Sequence, residues 1–323
     1  MTALLRRARP SVEPALVEDP PAASGPNAAP TEPPSRPSSR RLRRLLGLWV
    51  VATLGGMILV VYGFGPFLQQ RAQRSMLSSY RGDIERSVNE ASGLPGVSAS
   101  SKPPATGAPV GIVEIGSVRM QQVVVEGVGA AQTRSGPGHV PGTAGPGQPG
   151  NSVVVGRAKA FGGPFGRLHD LHVDDEILLS STQGQSVYAI TEVRSTDMSK
   201  DGQHADDLYG PSDDDRLTLV TSDSALPWNH SNATVVVATL RTKAFVPTAQ
   251  GARSDDQTGL TGDAGSRATV VLALLAYGAA MGASVLLYRS LRPRTAYLLT
   301  MAPIVALTIV AAESLSRLFP AWM

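Results

Sequence analysis

Cysteine is missing from the 323-residue sequence, and aromatic residues make up only 5% of it. Without cysteine, an extracellular domain of this chain has no disulfide framework, so its stability must come from a hydrophobic core. The few aromatic residues form no basic aromatic face of the kind that binds nucleic acid. No internal repeat is present either.

The sequence does contain three long, largely apolar runs without charged residues. They are Leu45–Phe67, Ala268–Tyr288 and Thr295–Ala312. About 18 or more apolar residues can cross a hydrocarbon core about 30 Å thick, so each run predicts a transmembrane helix. The first run starts late and lacks a small-residue cleavage site, which favours a retained anchor over a signal peptide. The third run contains Pro303, so a re-entrant or interfacial segment is its alternative.

Arginines flank these runs on one predicted side. They are Arg36, Arg40, Arg41, Arg43 and Arg44 before the first run, and Arg289, Arg292 and Arg294 between the second and third. The positive-inside rule therefore predicts a cytoplasmic N-terminus, with residues 68–267 and 313–323 outside. The net charge of +3 (29 basic minus 26 acidic residues) comes largely from these arginines. It indicates anionic lipid headgroups rather than nucleic acid as the partner.

Changes in composition divide the chain into a series of predicted segments. Residues 1–44 are rich in Pro, Ala, Ser and Arg and predict a disordered cytoplasmic tail. The predicted segments that follow are transmembrane helix 45–67, juxtamembrane helix and linker 68–109, extracellular β-domain 110–245, linker 246–267, and transmembrane helices 268–288 and 295–312.

The β-domain is predicted from short β-branched runs separated by Gly, Pro, Asn and Asp. The runs are 111–115, 122–126, 152–155, 176–179, 186–190, 216–221 and 233–240. Their length and spacing are typical of an all-β barrel or sandwich.

The order of these strands and their connectors resembles the sortase domain, the fold of the cell-surface transpeptidases of Gram-positive bacteria. The matching stretches are Ile112–Ile115, Gly136–His139 with Thr143, Pro146-Gly147 and Gly150-Asn151, Val153–Arg157, Phe161, Pro164-Phe165, Leu168, Leu171, Asp174-Asp175, Ile177, Leu217–Ser222 and Val235–Thr239. The resemblance implies a closed, sortase-like β-barrel with short helices, flanked here by transmembrane α-helices.

The same resemblance implies a catalytic His, Cys and Arg, and all three positions are substituted. Arg157, Ser222 and Ala233 stand there instead. A guanidinium stays protonated and cannot act as a base, and a serine hydroxyl is a weak nucleophile without one. No arginine lies between Arg216 and Arg241, so no catalytic residue of the family is intact.

Other residues near these positions are candidates for activating Ser222 or binding a ligand. His139, His230 or Asp223 would have to serve as the base, although surface loop positions are the simpler interpretation of both histidines. Arg157 either holds a carboxylate or fills space and points to solvent. The loop residue Trp228 is either a binding aromatic or a loop anchor.

A metal site is not predicted, and neither is a cofactor. His169 and His172 lie beside Asp170, Asp174 and Asp175, but the spacing places no third ligand, and the family's ordinary loop accounts for the stretch. The acidic run Asp213–Asp215 is predicted as a solvated turn, with a weakly supported calcium role as the alternative.

The predicted function is binding or scaffolding at the cell envelope by a catalytically degenerate sortase-like protein. Its predicted partner is a cell-surface protein, a sorting-signal peptide or an active sortase. One alternative is a serine-dependent transpeptidase, acyl transferase or peptidase using Ser222; another is a structural or regulatory membrane component. The small residues Gly278 and Gly282 offer a helix-packing face, for which packing within the chain is favoured over another protein.

Overall fold

The computed structural model describes residues 47, 51, 53–91, 102–198, 208–223, 232–252, 259, 264–290, 293–318, 320 and 322. Its strands are β1 Pro109–Ile115, β2 Met120–Glu126, β3 Gly138–His139, β4 Asn151–Val155, β5 Glu176–Ser181, β6 Gly184–Asp197, β7 Arg216–Ser222 and β8 Asn232–Leu240. Its helices are α1 Gly65–Ala91, α2 Ala130–Ser135, α3 Arg267–Ser290 and α4 Pro293–Ser316, with short turns at Leu59–Phe64, Ala160–Gly162, Leu168–Asp170 and Ala264–Ser266.

The eight strands close into a barrel in the order β1-β2-β3-β4-β7-β8-β6-β5. Strands β2 and β3 pair in parallel, as do β4 and β7, and the remaining pairs are antiparallel. The predicted closed β-barrel is thus confirmed. The sequence pattern missed β3, because its two residues include a glycine and no β-branched side chain and take their strand geometry from β2 and β4.

Alternate residues of the strands fill the barrel. Val113, Val124, Val154, Leu219 and Val236 are fully buried in one central cluster, as expected when side chains alternate between the inside and outside of a barrel. Each such side chain contributes roughly 1.5–3 kcal/mol when it leaves water. This burial is why the β-branched runs were recognisable in the sequence.

Strand β6 is longer than its predicted 186–190 core. A register shift between Ile190 and Glu192 divides it, and the half beyond the shift pairs with β8 as far as Asp197 opposite Asn232. Polar side chains of that half face solvent, so hydrophobic alternation did not reveal it.

Helix α1 lies against the outside of the barrel. Tyr80 packs on Ile112 of β1 and Val123 of β2, with Met76 and Ile84 beside it. The π-helical turn Leu59–Phe64 leads directly into α1. The described part of the first apolar run is therefore continuous with a helix that holds the barrel.

Two helices of the described chain are long and apolar enough to cross a membrane, at Arg267–Leu287 and Leu298–Ser316. Helix α4 continues through Pro303. A Cβ added at Gly278 or Gly282 would meet no described atom within 4 Å. The small-residue face of α3 is therefore not packed against another described part of the chain.

Candidate functional site

Three strand ends bring the substituted positions together. In the parallel pair β4/β7, Val155 lies opposite Val220, so Arg157 and Ser222 each follow two residues later at the same end of the sheet. The N–H of Gly156 extends the ladder by donating to the carbonyl of Val220 at 3.0 Å. In the antiparallel pair β7/β8, Ser222 lies opposite Ala233.

Ser222 is buried at the last residue of β7 and is only 5% exposed. The preceding Thr221 points its hydroxyl to the carbonyl of Gly156 at 2.9 Å, which fixes the end of β7 to the end of β4. Asp223 follows, but its carboxylate accepts a hydrogen bond from the hydroxyl of Ser195 at 3.0 Å. This contact directs the Asp223 side chain to β6.

Arg157 is buried rather than turned to solvent, with 2% of its surface exposed. Its guanidinium carbon lies 5.0 Å from the centre of the Phe161 ring, and Nη2 donates to the carbonyl of Ala130 at 3.2 Å. Its Nε has no hydrogen-bond partner, and no acidic side chain of the described residues forms an ion pair with it. Burial, reinforced by the charge of Arg134, lowers the pKa of Arg157 to about 10, so the side chain is still a cation at neutral pH.

His139 is a buried residue of β3 and not a surface loop residue. Its Nδ1 lies 2.8 Å from the Glu126 carboxylate, and its Nε2 lies 2.9 Å from the carbonyl of Ala144. The hydroxyl of Thr143 also lies 3.1 Å from Nε2. Both ring nitrogens are thereby engaged within the barrel wall.

The outward-facing side chains beside Ser222 are apolar. We call Val153, Val155, Val220, Ala233 and Val235 the outer apolar face, since each is 0% exposed and belongs to a cluster separate from the barrel interior. Because the alternate residues of the same strands fill the interior, these five point out of the barrel. Something other than the barrel must cover them.

Trp322, which lies beyond α4, covers this outer apolar face and is 1% exposed. Its carbonyl accepts hydrogen bonds from the N–H of Ser222 at 3.3 Å and the N–H of Ala158 at 3.1 Å. Sequence reasoning did not single out Trp322. The available signal was the predicted topology, which places residues 313–323 on the same side of the membrane as the barrel.

Two cavities, of about 190 and 600 Å³, lie elsewhere on the barrel. The smaller is lined by Glu126 and His139 and the larger by Asn151 and Tyr209, whereas Ser222 lines neither.

The remaining candidates are scattered. Trp228 and His230 lie outside the described residues. His169 contacts Asp170 at 3.2 Å, and the N–H of His172 donates to Asp175, all at exposed positions. Within the described ranges, no three His, Asp or Glu side chains come together as metal ligands. Asp215 accepts a hydrogen bond from the N–H of Gly150 at 2.9 Å, so one carboxylate of the acidic run supports the turn before β4.

Comparison with known proteins shows what this barrel is similar to. Residues 113–241 match the family model of the sortase domain. A sortase D5 transpeptidase of Clostridium perfringens is 20% identical, with 53% of this chain and 99% of that chain covered and a TM-score of 0.43. Sortase E of Streptomyces avermitilis is 26% identical, with 43% and 91% covered and a TM-score of 0.37. A sortase of Corynebacterium diphtheriae is 20% identical, with 50% and 98% covered and a TM-score of 0.40. No curated protein sequence matches the chain.

Proposed function

Because residues 113–241 form a sortase-family domain, we propose that this protein is a membrane-anchored, catalytically degenerate sortase-like module that binds a partner at the cell envelope. The partner class is a cell-surface protein, its sorting-signal peptide or an active sortase.

The observation that carries this proposal is the alignment of Arg157, Ser222 and Ala233 at one end of β4, β7 and β8. These are the positions where the resemblance implies a base, a thiol and an oxyanion-stabilising cation. Arg157 is a buried cation, so it accepts no proton from Ser222 at neutral pH. Ala233 has no donor to offer a developing oxyanion. The barrel is kept while each chemical group is replaced.

The kind of partner that we favour for this site is a peptide. The outer apolar face lies beside Ser222 and is part of the cluster that buries the side chain of Trp322. The N–H groups of Ser222 and Ala158 point at one carbonyl there, as the backbone donors of a sheet end do for an added extended segment.

The proposal includes three membrane-spanning helices that anchor the barrel. Helices α3 and α4 would hold the barrel at the membrane together with the span that leads into α1. By the positive-inside rule, the arginine clusters favour a barrel outside the membrane and an N-terminus in the cytoplasm. Such an arrangement gives the barrel a fixed position, which a scaffold needs more than a freely tethered enzyme does.

The enzymatic alternative has one observation in its favour. Two backbone N–H groups, from Ser222 and Ala158, converge on a single carbonyl oxygen beside a serine. An oxyanion hole uses donors in this way. A serine-dependent acyl transferase or peptidase using Ser222 is therefore the second candidate function.

One experiment separates the two. The purified full chain is incubated with a sorting-signal peptide and an amine acceptor, and both cleavage and stable binding are measured. Binding without turnover, unchanged in Ser222→Ala, is the expected result. Turnover that Ser222→Ala abolishes would establish the enzyme instead.

The matched control is Ser195→Ala, which removes an exposed hydroxyl on β6 beside Asp223. Neither binding nor turnover should change in this variant. Absence of both binding and turnover, in the parent protein and also in Trp322→Ala, which lacks the side chain beside the outer apolar face, would contradict the peptide-binding role.

A further inference from the structure

The outer apolar face is unusual because its side chains point out of the barrel and are nevertheless buried from solvent. Val153 and Val155 of β4 and Val220 of β7 flank Val154 and Leu219, which face the interior, so the two sets of side chains point to opposite sides. In the described chain, five other buried residues belong to the same outer cluster: Val128, Val140, Leu208, Tyr209 and Trp322. Of these five, only Trp322 follows the membrane helices in the chain.

The backbone of Trp322 also makes specific contacts. The β4/β7 ladder ends with the Gly156 N–H, and beyond it the N–H groups of Ala158 and Ser222 have no partner in the neighbouring strand. Both donate to the carbonyl of Trp322. Since buried N–H groups require acceptors, an occupant of this place needs a hydrogen-bond acceptor together with an apolar side chain, and a peptide residue such as Trp322 supplies both.

The fit of the indole is incomplete. Trp322 Nε1 is buried without a hydrogen-bond partner among the described residues. A buried donor left unpaired costs free energy that a phenyl ring would not incur. Among the described contacts, the site therefore engages the aromatic ring and the carbonyl of Trp322.

The position of Trp322 is constrained by the end of α4. Glu313 bonds Arg134 of α2 at 2.6 Å and Arg317 at 3.0 Å, so the end of α4 is fastened beside the barrel. From Ser316, six further residues reach at most about 20 Å. A short tether of this kind gives Trp322 a high effective concentration at the outer apolar face.

We propose that the outer apolar face beside Ser222 is a binding site for an extended peptide segment with an aromatic side chain, occupied in cis by Trp322. An external peptide binds only when the segment after α4 leaves. The proposal rests on the peptide-binding function proposed above and adds its ligand class and its regulation: the third membrane helix holds the competitor.

The test uses the full chain in lipid nanodiscs and a fluorescent synthetic peptide of residues 314–323. The peptide should bind Trp322→Ala at least tenfold more tightly than the parent protein, because the site is vacated. Trp322→Phe should behave like the parent, since a phenyl ring keeps the cis contact. The control Ile309→Ala changes an exposed residue of α4 and should also match the parent. Equal peptide affinity for Trp322→Ala and the parent would overturn the proposal.

A second measurement avoids any folding defect of Trp322→Ala. In the variant Trp49→Phe/Trp228→Phe, Trp322 is the one remaining tryptophan of the sequence. Its fluorescence should resist acrylamide quenching and become at least threefold more quenchable when an excess of the unlabelled 314–323 peptide is added, synthesised with phenylalanine in place of its tryptophan so that it does not fluoresce in the same range. A freely quenched Trp322 without peptide would refute cis occupancy.

The two proposals fail in different ways. If the sortase-like binding role is wrong, no sorting-signal peptide is captured, yet residues 314–323 still compete at the outer apolar face. If cis occupancy is wrong, a sorting-signal peptide binds the parent and Trp322→Ala equally.

Discussion

The side-chain amide of Gln73 pairs with both backbone groups of Val123. Gln73 Oε1 accepts the N–H of Val123 at 2.7 Å, and its Nε2 donates to the carbonyl of Val123 at 3.2 Å. Strand β1 pairs with Val123 on one side, but on the other side β3 pairs with β2 only at Val125 and Glu126, so no described strand reaches Val123 there. The side-chain amide of Gln73 in helix α1 therefore makes the hydrogen bonds that a neighbouring strand would otherwise make with Val123.

Loss of this amide should weaken the barrel. We expect Gln73→Ala to lower the free energy of unfolding by about 2–4 kcal/mol, because two buried backbone groups lose their partners. Denaturant titration of the detergent-solubilised protein measures it. Gln121→Ala, at an exposed position of β2, should change the free energy of unfolding by less than about 0.5 kcal/mol. Equal losses in both variants would show that Gln73 has no special role.

Tyr80 should make the barrel sensitive to alkali. Burial between α1 and the barrel raises the pKa of Tyr80 to about 12 from 10. The folded state therefore keeps the phenolic proton that the unfolded state loses, and stability present below pH 10 is lost as the pH rises to 12. The expected loss is up to about 1.4 kcal/mol per pH unit from this group.

The measurement is the difference in unfolding free energy between the parent and Tyr80→Phe from pH 9 to 12. Arg157 acts with the opposite sign, because its pKa is lowered and its burial is less costly once it is neutral. That contribution is common to both proteins and cancels in the difference. Parallel stability curves over this pH range would contradict the assignment to Tyr80.

Arg157 should cost stability rather than supply it. Replacement by Met keeps an unbranched apolar chain beside Phe161 and removes a buried charge that pairs with no carboxylate of the described residues. We expect Arg157→Met to raise the free energy of unfolding by about 1–3 kcal/mol, as when buried charges are exchanged for apolar side chains. Partner capture should fall if Arg157 holds a carboxylate of the ligand.

Arg167→Met is the control, since Arg167 forms an exposed ion pair with Asp170 at 3.0 Å. Its effect should remain below about 1 kcal/mol. A clear destabilisation by Arg157→Met would show that an anionic group pairs with Arg157 in the folded protein.

Ser222→Cys should report how well Trp322 covers the strand end. The parent has no cysteine, so the new thiol is the sole site of alkylation. We expect iodoacetamide to label Ser222→Cys at least tenfold more slowly than Ser222→Cys/Trp322→Ala. Ser195→Cys, at an exposed position of β6, supplies the rate for an open thiol. Equal rates for the Ser222→Cys pair would mean that Trp322 does not protect the site.

The local sequence pattern was sufficient to predict most strands of the barrel. Runs such as Val153–Val155 and Leu217–Thr221 alternate between two buried sides, and their β-branched residues predict strands from neighbours in sequence. Strand β3 was missed because Gly138 and His139 carry no such pattern and depend on partners in β2 and β4. His139 was placed at the surface for the same reason: its partner Glu126 is distant in sequence, and only pairing brings them to 2.8 Å.

By itself, the sequence determined which side chains are available and which segments are apolar. It contains no cysteine, and Arg157, Ser222 and Ala233 are the residues that the resemblance assigns to the family's catalytic positions. Tertiary structure decided what these residues now contact. Strand register aligns Arg157, Ser222 and Ala233 at one end, burial turns Arg157 toward Phe161, and Trp322 crosses from α4 to the outer apolar face. Such contacts join residues far apart in the chain, and their energy depends on burial and geometry that no local pattern encodes.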